Sequence, residues 1–369
     1  MTRPGGSDEV FAVITGGGTG GHVYPALALA GELVARSHPR DAIQFVGAQR
    51  GLEARAVPAA GYRVELLPGR GFQRRLTFAN VRAAWDALRA FGRARRLVRG
   101  AQPRVVVGVG GYASLPCLVA ARLARVPAVV HEQNAAPGLA NRVAVRMGAR
   151  PAVSLPGTPL RDAIVTGNPI RAEIAATRRS PDPGRSLVAV FGGSLGARRI
   201  NDAALGLYDG WRDRADVVVH HVTGPRNYEE CAARLSAIRR AGDALGYELA
   251  GYEEHMEQLY ARTTIAVCRA GAVTVAELAA AGVPAVLVPL PGAPGDHQTR
   301  NAETLAAADA AVVVPDRDCD GERLDTELTP LLGDEARLES MATAARRLAR
   351  PDAAARLADL VEEVARGVR

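Results

Sequence analysis

A chain of 369 residues, 48% apolar and only 4% aromatic, can fill two α/β domains of ordinary size, each with an Ala/Val/Leu-rich core. Its net charge is +7 with no Lys at all, and residues 70–104 hold ten Arg against one acid, Asp86. The rest is near neutral, so that one segment is suited to a polyanionic surface, either nucleic acid or anionic lipid. A spanning helix is not expected, and the long uncharged run Leu278–Gly295 contains four prolines. A secretory leader is not expected, since "MTRPGGSDEV" has no apolar core. Cys117, Cys231, Cys268 and Cys319 lack metal-ligand spacing and fit a reducing cytoplasm.

In chain order, "FAVIT" reads as a buried strand and "YPALALAGELVA" as a helix with Pro25 near its first turn. Between them Gly16, Gly18 and Gly21 have the spacing G-x-G-x-x-G, which points backbone N–H groups and a helix N-terminus at an anion. A dinucleotide fold also needs an acid at the end of the second strand. Here "AIQFVGA" is followed by Gln49, Arg50 and Gly51, and Asp41 lies at the wrong end, which argues against a dehydrogenase. In the Arg-rich segment Phe78, Val81, Trp85 and Leu88 recur at intervals of three and four, on one helical face. Arg74, Arg75, Arg82, Arg89, Arg93, Arg95, Arg96 and Arg99 surround it. Amphipathic helices commonly turn such a stripe to their own sheet; the Arg excess favours an anionic membrane interface instead. No RNA-recognition motif accompanies the aromatics, so nucleic acid is not expected as a partner.

The strand–loop–helix plan continues through "PRVVVGVGGYASLPCLVAARLA" and "PAVVHEQN", and a Pro/Gly-rich connection follows in "PAVSLPGTP". It restarts with "SLVAVFGGSLGARRINDAALGL", "DVVVHHVTG", "TIAVCRAGAVTVAELAAAG" and "PAVLVPLP". The expected fold is α/β: two doubly wound, Rossmann-like parallel-sheet domains, residues 8–165 and 166–349, facing a cleft.

"TGGGTGGHVYPALALA", "GVGGYASLPCLVAA", "HEQNAAPGLANR", "TGNPIR", "FGGSLGARRIN" and "RAGAVTVAELAAAGVPAVLVP" occur in the order seen in the MurG family, which the chain resembles over about residues 10–345. That family transfers N-acetylglucosamine from UDP-N-acetylglucosamine to lipid I, giving lipid II for peptidoglycan. The resemblance implies a GT-B glycosyltransferase without cofactor or metal, at the cytoplasmic face of an anionic membrane, with other cell-wall synthesis and division proteins as partners. It also implies that a C-terminal helix, in about residues 350–369, packs back on the first domain. Other readings are a GT-B enzyme with another acceptor, or a UDP-N-acetylglucosamine 2-epimerase. An epimerase has no evident use for the Arg-rich helix.

Site residues follow. Gly18, Gly20 and Gly21, with Gly110, Gly111 and Tyr112, are expected at the acceptor's pyrophosphate. An inverting transfer needs a base, and His22 beside that site is the first candidate, with Glu132 second. The resemblance places Thr15, Gly16, Gly17, Asn134, Arg171, Gly193, Ser194 and Tyr252 on the donor. Gly271, Ala272, Val273 and Thr274 open a helix toward a phosphate, and Glu277 one turn on can accept the ribose hydroxyls. Gln298 and Asn301 are expected at the sugar hydroxyls. Leu195, His297 and Thr299 depart from the family pattern, which removes side-chain contacts at those places. "DRDCD" (Asp316–Asp320) has the spacing of a metal-binding D-x-D but reads as a polar loop after a strand, so no catalytic metal is expected.

Overall fold

The computed structural model describes residues 9–49, 51–68 and 78–367, with residues 78–84 described by their backbone alone. It divides into two compact units, residues 1–170 with 352–369, and residues 171–351.

In the first unit, runs rich in Val and Ile form β1 (Ala12–Thr15), β2 (Ile43–Ala48), β3 (Arg63–Leu67), β4 (Val105–Gly108), β5 (Ala128–Glu132), β6 (Arg150–Val153) and β7 (Ile164–Val165). All neighbours pair parallel in the order β3-β2-β1-β4-β5-β6-β7. β1 and β4 are buried at every position, as strands covered by helices on both faces must be. The helices are α1 (Gly20–Ala35), α2 (Glu53–Ala59), α3 (Phe78–Ala101), α4 (Ser114–Ala124) and α5 (Leu139–Arg146). α1 begins four residues earlier than expected, at Gly20, which puts Pro25 in its second turn. Thr15 is in register with Gly108 across the β1–β4 pair, where the winding direction reverses. The loops after these two strands therefore emerge side by side, at the place where open α/β sheets bind ligands.

α3 carries two separate faces. Ala90, Ala94 and Val98 are buried on one, with Phe91, Leu97 and Ala101 partly buried beside them. Trp85 and Leu88 are 63% and 64% exposed and project from the other, together with the exposed Arg89, Arg95, Arg96 and Arg99. The side chains of Phe78 and Val81, like Arg74 and Arg75, lie outside the described residues.

The second unit has α6 (Ala172–Ala175), then β8 (Ser186–Phe191), α7 (Arg198–Trp211), β9 (Val217–Val222), α8 (Tyr228–Ile238), β10 (Gly246–Ala250), α9 (Met256–Arg262) and β11 (Ile265–Cys268). It continues with α10 (Ala272–Ala281), β12 (Ala285–Leu287), α11 (His297–Ala306), β13 (Ala311–Val313), α12 (Gly321–Leu332) and α13 (Glu335–Leu348). The sheet is again parallel throughout, ordered β10-β9-β8-β11-β12-β13, and Phe191 is in register with Cys268 at its own reversal. The chain then returns to the first unit as α14 (Ala353–Arg366), whose Leu357, Ala358, Leu360 and Val361 join the core beneath α1. Arg36 of α1 pairs with Asp359 at 2.6 Å and with Glu362 at 3.3 Å. His38 meets Glu362 at 2.9 Å. All four cysteines are free and buried.

Candidate functional site

The two Gly loops of the first unit are packed on one another. Gly17 N–H donates to the Gly110 carbonyl at 3.3 Å, and a Cβ on Gly111 would collide with the Gly17 backbone. Gly110 and Gly111 have φ of +89° and +85°, which side chains rarely adopt. Ser114 Oγ donates to the Thr15 and Gly110 carbonyls at 2.9 and 2.7 Å, and Thr15 Oγ1 donates to the Ala113 carbonyl at 3.0 Å. Thr15, expected on the donor, is fully buried and ties the two loops together through its hydroxyl. The His22 ring lies against Gly110, where a Cβ would stand 3.0 Å from Nε2, and its Nδ1 is 3.4 Å from Thr19 Oγ1. Gly20 and Gly21 are the first two residues of α1, so their N–H groups have no acceptor within the helix.

The main feature missed from the sequence is Glu53. It opens α2 but folds back under the first loop, 2% exposed, accepting Gly18 N–H at 2.8 Å and Ala48 N–H at 2.7 Å. Gly18, expected at a substrate phosphate, gives its N–H to this carboxylate. Spacing gave no sign of this, because Gly18 and Glu53 are 35 residues apart.

"HEQN" supplies a buried frame. Glu132 Oε1 accepts Asn134 N–H at 3.1 Å and Asn134 Nδ2 at 3.2 Å; Oε2 accepts Gly138 N–H at 2.9 Å and Asn141 Nδ2 at 2.8 Å. Both oxygens are filled, and the carboxylate holds Asn134 in place. His131 Nε2 donates to the Gly167 carbonyl at 2.9 Å while Nδ1 accepts from Gln133 Nε2 at 3.1 Å. Burial drives the pKa of His131 down to about 4, so the ring is neutral. Gln133 also donates to the Val109 carbonyl at 3.0 Å, which ties this frame to the second Gly loop.

In the second unit the loop after β8 presents Gly193 and Ser194 to solvent, next to the loop after β11. Gly196 and Gly224 (φ +76° and +84°) pack too closely for side chains, and Leu195 is left exposed. Gly271 caps α10, and Ala272, Val273 and Thr274 form its half-buried first turn. Glu277, 6% exposed, accepts the Tyr260 hydroxyl at 3.0 Å and lies 3.6 Å from Arg171 Nη2, so Arg171 and Glu277 do meet. Burial pushes the Glu277 carboxyl upward, with Arg171 opposing the shift. Gln298 Oε1 accepts Leu290 N–H at 2.9 Å and so holds the loop after β12. Asn301 is fully buried and donates to the Ala270 carbonyl at 3.1 Å. It braces the start of α10, the helix expected at the donor phosphate. Tyr252 follows β10, two strands from β8, and is 51% exposed.

The acids of "DRDCD" have protein partners. Asp316 pairs with the buried Arg269 at 2.6 Å, Asp318 with Arg317 at 3.4 Å, and Asp320 accepts Arg323 N–H at 2.8 Å as the cap of α12. Arg269 in turn donates to the Val288 and Pro289 carbonyls at 3.0 and 3.1 Å. Among the described residues no helix is long and apolar enough to cross a membrane.

Two family models match the chain: the glycosyltransferase family 28 N-terminal domain over residues 12–152 and its C-terminal domain over residues 187–357. A curated relative from Halothermothrix orenii is 38% identical, covering 96% of this chain and 99% of its own. It is named UDP-N-acetylglucosamine–N-acetylmuramyl-(pentapeptide) pyrophosphoryl-undecaprenol N-acetylglucosamine transferase. The crystal structure of Acinetobacter baumannii MurG superposes with a TM-score of 0.76 at 28% identity, covering 96% of this chain and 99% of that one. A UDP-N-acetylglucosamine 2-epimerase structure reaches 0.65 at 15% identity over 98% of both chains, a likeness of fold alone.

Proposed function

We propose roles for individual residues from the premise that the chain belongs to glycosyltransferase family 28. It is an N-acetylglucosaminyltransferase that carries N-acetylglucosamine from its UDP donor to lipid I, giving lipid II. The acceptor's pyrophosphate is assigned to the first unit, at Gly20 and Gly21 of α1 with Gly110, Gly111 and Tyr112 of the second loop. His22 serves as the base. It takes the proton of the MurNAc C4 hydroxyl as that oxygen bonds to C1 of N-acetylglucosamine, and the C1–oxygen bond to UDP breaks with inversion. Supporting this is the position of the imidazole on Gly110, between the two Gly loops at the sheet reversal. Glu132 is assigned to fixing Asn134, which faces the donor sugar, because both its oxygens are already occupied.

The donor's diphosphate is assigned to the first turn of α10, from Gly271 to Thr274, with Gly193 and Ser194 alongside. Glu277 takes the uridine ribose hydroxyls, held in place by Arg171 and Tyr260. Gln298 reads the sugar, Asn301 supports the turn from behind, and Tyr252 lies against the uracil. Lipid I is membrane-bound, and we assign the outward face of α3, with Trp85 and Leu88 among arginines, to the cytoplasmic leaflet. The experiment is transfer of labelled N-acetylglucosamine from UDP to lipid I, run beside undecaprenyl acceptors lacking MurNAc. Equal transfer to both would overturn the acceptor assignment.

A further inference from the structure

We propose that Glu53 is a positioning residue for acceptor binding: a built-in anion that holds the first Gly loop in shape and passes the substrate's pyrophosphate to the N-terminus of α1. The inference rests on the reading above that this loop receives the acceptor.

Three glycines surround the Glu53 side chain. A Cβ on Gly17 or Gly51 would meet its carboxylate, and one on Gly47 would meet its Cγ. The cavity under the loop is thus shaped by missing side chains on both strand ends, and one carboxylate fills it. Gly17 and Gly18 have φ of +141° and +103°, a conformation with many competitors in a free Gly-rich chain. The two bonds from Gly18 and Ala48 are made to a charged acceptor and therefore stronger than neutral ones. They join the loop after β1 to the end of β2, and so select this conformation before any substrate arrives.

The chemistry also redirects the ligand. Glu53 occupies the side of the loop near the end of β2, where a dinucleotide fold would receive a ribose, and Gly18 N–H is already engaged. An incoming diphosphate is repelled from that side. It is left with the outward N–H groups of Gly20 and Gly21, next to His22. Glu53 thereby sets both the shape of the loop and the lateral position of the acceptor relative to the base.

Glu53→Gln tests this directly. Whichever way the amide turns, its NH2 must face one of the two N–H donors, and the loop loses one tie. The expected result is a rise in KM for lipid I, or a short-chain analogue, of about 10- to 100-fold, with KM for UDP-N-acetylglucosamine within about twofold. Glu53→Asp, which keeps the charge on a shorter arm, serves if the amide variant does not fold. A folded variant whose two KM values are both unchanged overturns the proposal, whether or not kcat falls, since a purely structural role costs active enzyme without moving acceptor KM. Gly21→Ala separates the two levels of inference, because a Cβ there meets nothing closer than Thr19 Oγ1 at 3.6 Å. If Gly21→Ala raises acceptor KM and the Glu53 variants do not, only the Glu53 role fails. If Gly21→Ala is also silent, the loop is not the acceptor's seat.

Discussion

Replacing Glu132 by Gln separates an anchor from a base. The carboxylate is 3% exposed and accepts four hydrogen bonds, two on each oxygen. In the Glu132→Gln variant one oxygen survives with its two donors, and the new NH2 is turned against the other two. Losing two charge-assisted bonds at about 1.5–3 kcal/mol each sets an upper range of about 3–6 kcal/mol. Rotation of the Asn134 or Asn141 amide recovers part of it, which leaves about 2–4 kcal/mol. For a folding unit of this size each kcal/mol shifts Tm by roughly 2–4 °C, so a drop of about 5–15 °C is expected. The assay is thermal unfolding by calorimetry, with steady-state kinetics well below the transition. Below that transition kcat should fall less than about tenfold, with donor KM raised through the loosened Asn134. An unchanged Tm with kcat down by about a hundredfold or more would refute the reasoning, because it is the signature of a lost proton carrier.

Four other outcomes are expected. His22→Ala should lower kcat by about 10²–10⁴ with donor KM held; a raised donor KM at constant kcat would make His22 a binding residue. Glu277→Gln keeps an acceptor for Tyr260 but loses the charge, and should raise KM for UDP-N-acetylglucosamine by about 10- to 100-fold; unchanged donor kinetics reject the ribose assignment. Because Trp85 and Leu88 are exposed, the Trp85→Ala, Leu88→Ala double mutant should keep its Tm and turn over a water-soluble acceptor while losing salt-sensitive binding to anionic vesicles; retained binding moves the membrane face elsewhere. His131 and His221 are buried, with pKa lowered to about 4, against about 6.5 in an unfolded chain. Between those values the unfolded chain carries protons the native one does not, so stability is full above about pH 6.5 and lost toward about pH 4, by on the order of 3 kcal/mol per histidine. The slope should flatten in His221→Gln relative to wild type, in calorimetry from about pH 7 to about pH 4.5; identical slopes exclude His221 as a source.

What could be read from the sequence was local. Runs such as "VVVG" and "AVIT" announce buried parallel strands, and a glycine at a strand end announces a tight loop, from the residues themselves. The partners of polar groups were not local. Glu53 belongs to no motif, and its hydrogen-bond donor, Gly18, comes from a different loop. Thr15 and Asn301 lie inside segments proposed to carry the site, and only packing shows that their polar atoms meet carbonyls within the protein. From the sequence Glu132 reads as a second candidate base, and an acid saturated by donors has the same letter as an acid awaiting a proton. On α3 the large apolar residues attract the eye, while the helix is seated by small ones, Ala90, Ala94 and Val98.

The return of α14 has a consequence for how the molecule is made. Residues 171–351 are complete once residue 351 has left the ribosome, whereas the first unit still lacks Leu357, Ala358, Leu360 and Val361 from its core. Domains usually mature in the order of synthesis. Here the half begun first is finished last, and until then the apolar underside of α1 stays open to solvent and to chaperones. Premature termination just after residue 351 would thus damage the part of the protein furthest from the break in sequence, leaving the later-born half intact.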